Sequence, residues 1–155
     1  MAINIRSFDK LFINGEWVTP FGEGVTEVIN SATEQVVATV PMGNEQDVDL
    51  AVKSAKAALP AWSQTTSTER ARLLKAIADK MEERKDSLVN TIVAELGMPI
   101  DFTFDYQVDA SIIGVRAYAE RAQLMDIEEQ IDNTTVVRDS VGVCALINPW
   151  NYPLH

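Results

Sequence analysis

At Asn44 the hydrophobic period of the chain changes from two to 3.6, and it stays helical to about Leu124 before reverting. Four helical patterns in a row, with no strand pattern between them and strand patterns on either side, predict a helical layer joined to β-structure. Asn44 can cap the first helix with Asp47 at its third position, and Val48, Ala51, Val52, Ala55, Ala58 and Leu59 then share one face until Pro60. The small alanines predict close packing against a neighbour. Thr66-Ser67-Thr68-Glu69 forms a capping box opening a second helix, with Leu74, Ile77, Ala78 and Met81 as its buried stripe. Asp86 restarts the helix, which carries Leu88, Ile92 and Leu96 to a stop at Gly97, with Pro99 just beyond. A longer helix, 101–124, buries Val108, Ile112, Val115, Ala119 and Ala122.

The flanking segments read as strands. Asn14-Gly15 between apolar flanks predicts a hairpin over 11–18. Strands at 25–30 and 35–40 flank the turn Ser31-Ala32-Thr33-Glu34, and Pro41 closes that segment. Gly22-Glu23-Gly24 opens like a dinucleotide fingerprint, but Glu27 stands at the third glycine position and a strand follows, so it is rejected as a phosphate loop. After the helices, 134–139 reads as an edge strand. The uniformly apolar 142–147 reads as a strand covered on both faces, as in a parallel sheet. The next residues, NPWNYPLH at 148–155, then lie past the C-terminal end of that strand, where open α/β sheets bind ligands.

At 155 residues the chain is one ordinary domain in size. Its 23 acidic and 13 basic residues give a net charge of -10 with no basic block, which argues against a nucleic acid or an anionic membrane as partner. The 46% hydrophobic content belongs to a globular protein. The N-terminus lacks an apolar signal core, and the longest apolar run, 141–147, falls far short of the ~18–20 residues of a membrane span; the expected compartment is cytoplasmic. Asn133-Thr134-Thr135 matches a glycosylation sequon, read as chance without a secretory signal.

With one cysteine and one histidine, Cys144 and His155, neither a disulfide nor a thiolate metal cluster nor an internal Ser/His/Asp set can be built, and no metal is expected. The adjacent carboxylates Glu82-Glu83 and Glu128-Glu129, in helical or loop contexts, point different ways and read as solvated surface. Cys144, amid apolar neighbours with no cation near in sequence, reads as a small buried hydrophobe, not a nucleophile. The 148–155 loop differs. Pro149 and Pro153 fix the backbone around Trp150, Asn151 and Tyr152, and a preorganised amide is what a developing oxyanion requires. The alternative is a turn whose aromatics belong to the core.

The run VVRDSVGVCALINPWNYPL, 136–154, resembles the NAD(P)-dependent aldehyde dehydrogenase superfamily, in which a V-G-V strand enters a P-W-N-[FY]-P loop. Further segments agree in order: LFINGEWV at 11–18, EVINSATEQVVATVP at 27–41, DVDLAVKSAKAALPAWS at 47–63, TERARLLKAIADKMEER at 68–84 and AELGMPI at 94–100. The resemblance implies an α/β fold: the N-terminal, incomplete part of a Rossmann-type cofactor-binding domain. Hairpins and helical layer would occupy 1–125, an oligomerisation strand segment 126–141, and the first parallel strand with the oxyanion loop 142–155. It implies oxidation of a small-molecule aldehyde to a carboxylic acid through a cysteine thiohemiacetal and thioester, with NAD or NADP as acceptor. Asn151 would donate to the thiohemiacetal oxyanion, and Ile147, Asn148, Pro149 and Trp150 would line the dinucleotide site. A homo-oligomer, dimer or tetramer, is implied for the full-length protein.

The family's nucleophile, catalytic glutamate and ribose-contacting lysine fall beyond residue 155, and Cys144 does not match the nucleophile's motif. The 155 residues are therefore expected to be an opening segment or truncated product without turnover of its own. The competing expectation is a non-catalytic remnant or interaction module that pairs through exposed strands. In either case, apolar surface on 142–147 left without neighbours predicts self-association.

Overall fold

The computed structural model describes residues 6–125 and 128–155. The expected boundary between residues 125 and 126 falls beside residues 126 and 127, which lie outside the described residues.

The first β-structure is two small sheets. Strands β2 (Leu11–Ile13) and β3 (Glu16–Val18) pair antiparallel, with Asn14 and Gly15 both at positive φ, the turn the Asn-Gly pair predicts. Strands β4 (Gly24–Ile29) and β5 (Val36–Met42) pair antiparallel, and the short β1 (Arg6–Ser7) adds to β5 in parallel, giving the order β1-β5-β4. The β4–β5 turn is held by Asn30, whose Oδ1 accepts from the amides of Ala32 and Thr33. Pro41 does not close the segment but lies inside β5 opposite Val25. β1 reaches only to the pairing of Ser7 with Thr39, so Pro41 stands where β5 has become an edge and its missing donor is not demanded.

Helix α1 (Glu45–Ser63) starts at the Asn44 cap as the sequence predicts, with the reciprocal bond from the Asn44 amide to Asp47. It runs through Pro60 instead of stopping there. The proline removes one bond near the helix end, and the last turn is closed by Ser63 Oγ donating to the Pro60 carbonyl. Its apolar face is only partly covered: Ala51, Val52 and Leu59 are half-buried, whereas Val48, Ala55 and Ala58 are exposed. Arg70 ties α1 to α2 (Ser67–Glu83), its guanidinium donating to Thr65 Oγ1 and the Ser63 carbonyl. The Thr66 hydroxyl caps α2 at Glu69, while the Glu69 carboxylate turns outward to pair with Arg72, so the capping box is half formed.

Helix α3 (Lys85–Leu96) ends at Gly97 in the left-handed conformation, φ 66°, as predicted. There the chain meets the β4–β5 turn. Ser31 Oγ donates to the Leu96 carbonyl, and a Cβ at Gly97 would lie 2.7 Å from that hydroxyl. The predicted long helix is a run of three parts: α4 (Ile100–Phe102), a π-helical stretch (Thr103–Asp109) and α5 (Ala110–Gln123). The core is Ala78, Val89, Ile92, Val108 and Ile112, flanked by Met81, Leu88, Val93, Leu96, Val115 and Leu154. Most of the predicted stripe residues contribute, but Ile77 lies outward.

Strands β6 (Glu128–Ile131) and β7 (Thr134–Val137) form an exposed antiparallel hairpin, so Glu128-Glu129 lies on a strand and not in a helix or loop. The segment 142–147, expected as the first parallel strand, joins no ladder among the described residues, and Val141, Leu146 and Ile147 stand in solvent. A parallel strand exists only by pairing with neighbours brought round by crossovers, and among the described residues no such neighbour pairs with this one. Cys144 is correspondingly exposed, not buried.

Candidate functional site

The 148–155 loop is fastened to the helical layer by three side chains of different chemistry. Leu154 packs against the core cluster. His155 Nε2 lies 3.1 Å from the Tyr106 carbonyl, so a protonated Nε2 donates there, and its ring meets Tyr152 edge-on at 5.2 Å. Gln107 Nε2 donates to the backbone carbonyl of Asn151 at 2.9 Å. The two hydrogen bonds fall on the π-helical stretch, where wider turns carry the Ala110 amide to the Asp105 carbonyl.

Gln107 is wholly buried, and so are Thr103 and Val108. Thr103 Oγ donates to the Pro99 carbonyl and Ser111 Oγ to the Gln107 carbonyl, so both hydroxyls are satisfied within the helix. Gln107 Oε1 has no partner among the described residues. On the outer side, Lys85 pairs with Asp109 and lies over the Phe104 ring at 4.2 Å. The Asp109 bond holds the Lys85 ammonium above its ordinary pKa; burial opposes this, and the charges of Asp109 and Glu82 add to it.

Each predicted site residue can now be placed. Asn151 is exposed with its backbone anchored. Ile147, Asn148, Pro149 and Trp150 are exposed too, with Ile147 at 94% and Trp150 at 82%. Sequence reasoning missed Gln107. A signal was present in Thr103, Gln107 and Ser111, three polar residues four apart on the face that also carries Val108 and Ile112. Among the described residues no group of His, Cys, Asp or Glu could hold a metal, and no helix is long and apolar enough to cross a membrane.

The strand–loop signature and this architecture define a class. Residues 17–155 match the model of the aldehyde dehydrogenase family. The chain is 37% identical to 3-succinoylsemialdehyde-pyridine dehydrogenase of a Pseudomonas species over 97% of its own length and 32% of that protein's. It is 38% identical to aminoaldehyde dehydrogenase 2 of Solanum lycopersicum over 99% of its length and 33% of the relative's. In structure it resembles aldehyde dehydrogenase C of Pseudomonas syringae, solved with NAD+ and octanal, with a TM-score of 0.91 at 37% identity, covering 94% of this chain and 30% of that one. An aldehyde dehydrogenase of Mycobacterium tuberculosis solved with NAD+ matches with a TM-score of 0.82 at 32% identity, covering 88% of this chain and 29% of the other.

The chain belongs to the aldehyde dehydrogenase family. It spans about a third of the length of these relatives, and its fold is the N-terminal part of their Rossmann-type α/β architecture.

Proposed function

We propose that this chain forms part of an NAD(P)-dependent aldehyde dehydrogenase, in which Asn151 donates its side-chain amide to the oxyanion formed as a thiolate adds to the aldehyde. The observation that carries this reading is the placement of Asn151: its backbone is bonded to the buried Gln107, and the residue itself is exposed beside an apolar, unpaired segment. A donor on an anchored backbone needs less reorganisation as charge develops, and one oxyanion donor is worth ~2.7–4 kcal/mol in the transition state. Ile147 and Trp150 would pack on the dinucleotide, while Asn148 and Pro149 would line its site through backbone groups. When bound, NAD(P)+ supplies the hydride acceptor. The chain's part is to hold the loop, orient the amide and cover the cofactor from water.

The nucleophile and the base come from sequence that these 155 residues do not contain. The isolated chain should therefore turn over no aldehyde, and sustained NAD(P)H formation abolished by Cys144→Ala would overturn that. In a polypeptide of family length carrying this sequence, Asn151→Ala should lower kcat by ~10²–10³-fold. A kcat within a few fold of the unsubstituted enzyme would remove Asn151 from the role.

The β6–β7 hairpin, exposed on every residue, supports an oligomer of dimer or tetramer type, since a lone two-stranded hairpin is marginal in water. The same exposed strand and the bare 142–147 segment favour a second reading, a non-catalytic module that pairs through them with another chain. Sedimentation and intact mass of the native protein separate the two. A mass near 17.1 kDa in a defined oligomer supports the module, and a mass several-fold larger supports the enzyme.

A further inference from the structure

We propose that Gln107 is the positioning residue of the 148–155 loop, holding the Asn151 backbone at the point from which its exposed side-chain amide projects. This rests on the reading of Asn151 as the oxyanion donor. Gln107 is fully buried, and its Nε2 reaches a carbonyl 44 residues further along the chain. The amide orientation is set by that contact, because the reversed group would bring two acceptor oxygens together. Its Oε1 is left without a partner among the described residues, so the bond to Asn151 is kept although the other half of the amide is buried unsatisfied. A methionine would fill the same space with no polar atom to satisfy, and packing alone therefore does not call for glutamine here.

Two further features confine the effect to Asn151. Leu154 and His155 already fasten the far end of the loop, to the core and to the Tyr106 carbonyl. Pro149 and Pro153 restrict the backbone on either side. The dihedrals of Trp150 and Asn151 lie between these restraints, and the Gln107 bond fixes the peptide plane after Asn151. The widened π turns seat this polar residue in the helix face beside Val108 without breaking the run of helix.

The test is Gln107→Met. In the 155-residue chain, the backbone order parameters of Asn151 and Tyr152, read by 15N relaxation, should fall from the rigid value of ~0.85 toward the flexible range below ~0.6, while residues 110–123 keep theirs. An unchanged loop order parameter overturns the proposal. If the variant does not fold, the unsubstituted chain decides: the Gln107 side-chain amide protons should exchange slowly, and exchange at the rate of a free glutamine overturns it. In the polypeptide of family length, kcat should fall about tenfold, with KM for cofactor and aldehyde within about twofold, as expected when only transition-state geometry is lost. A looser loop with kcat unchanged would overturn the positioning role. An unsubstituted enzyme that oxidises no aldehyde would instead defeat the functional reading, and the relaxation result would still decide whether Gln107 holds the loop.

Discussion

Asp47 shows how a single residue joins two parts of this fold. It sits in the first turn of α1, 3% exposed, and its carboxylate accepts from the backbone amides of Asn44, Phe21 and Gly22. Burial alone would raise its pKa, but the three amides outweigh it and hold the carboxyl below its ordinary value of 3.8. A lowered folded-state pKa means that its stabilisation is complete above the ordinary value and lost as pH falls through the lowered one. The melting-temperature advantage of the unsubstituted chain over Asp47→Asn should therefore be largest near neutrality and shrink as the buffer is taken below pH 3.8. An advantage independent of pH would show that the charge contributes nothing. Gly22 is part of the same junction, since a Cβ there would lie 2.1 Å from the Met42 carbonyl. Gly97 joins a left-handed φ to close contact with Ser31 and Ala32, and Gly97→Ala should cost at least ~1–2 kcal/mol in urea unfolding. The Asn44 cap and the Gly97 stop were legible in the sequence because capping is local chemistry. The reach of Asp47 to Phe21 was not, because nothing in the helix pattern says which loop will arrive there.

Among the elements, the helices were read well and their surroundings less so. The helix of 101–124 was predicted with its buried residues Val108, Ile112 and Ala119 but without the π-helical turns, which have no signature in apolar spacing. Ile112 joins residues of α2, α3 and the π stretch in one cluster, so Ile112→Ala should lower unfolding free energy by about 2–5 kcal/mol. A loss under about 1 kcal/mol in urea titration would mean that the cluster is not the centre of stability. Helix α1 teaches the opposite lesson. Its alanine face was legible, but a face is buried only where a second surface meets it, and here Val48, Ala55 and Ala58 remain exposed. The same holds for 142–147, whose apolar composition announces a covered strand although no ladder covers it.

Across the described residues, bare apolar surface stands against the solubilising charge of -10. Trp62, Ile77, Met81, Leu88 and Leu154 line an open groove of about 570 Å³, and Val141, Leu146, Ile147 and Trp150 extend into solvent elsewhere. Exposed patches of this kind drive association. The 155-residue chain should sediment increasingly as oligomers with rising concentration and bind a hydrophobic dye while its helical circular dichroism persists; a dye-negative monomer at all concentrations would contradict this.

The sequence by itself determined the Asn44 and Thr66 caps, the stop at Gly97, the Asn14-Gly15 turn and the family resemblance, because caps, turns and periodicity are interactions among residues a few positions apart. Only the tertiary structure decided that Gln107 meets Asn151, that Asp47 holds the Phe21–Gly22 turn, and that 142–147 stands uncovered. Those outcomes depend on which distant surfaces come together, and an apolar residue looks the same in a sequence whether or not its partner is there.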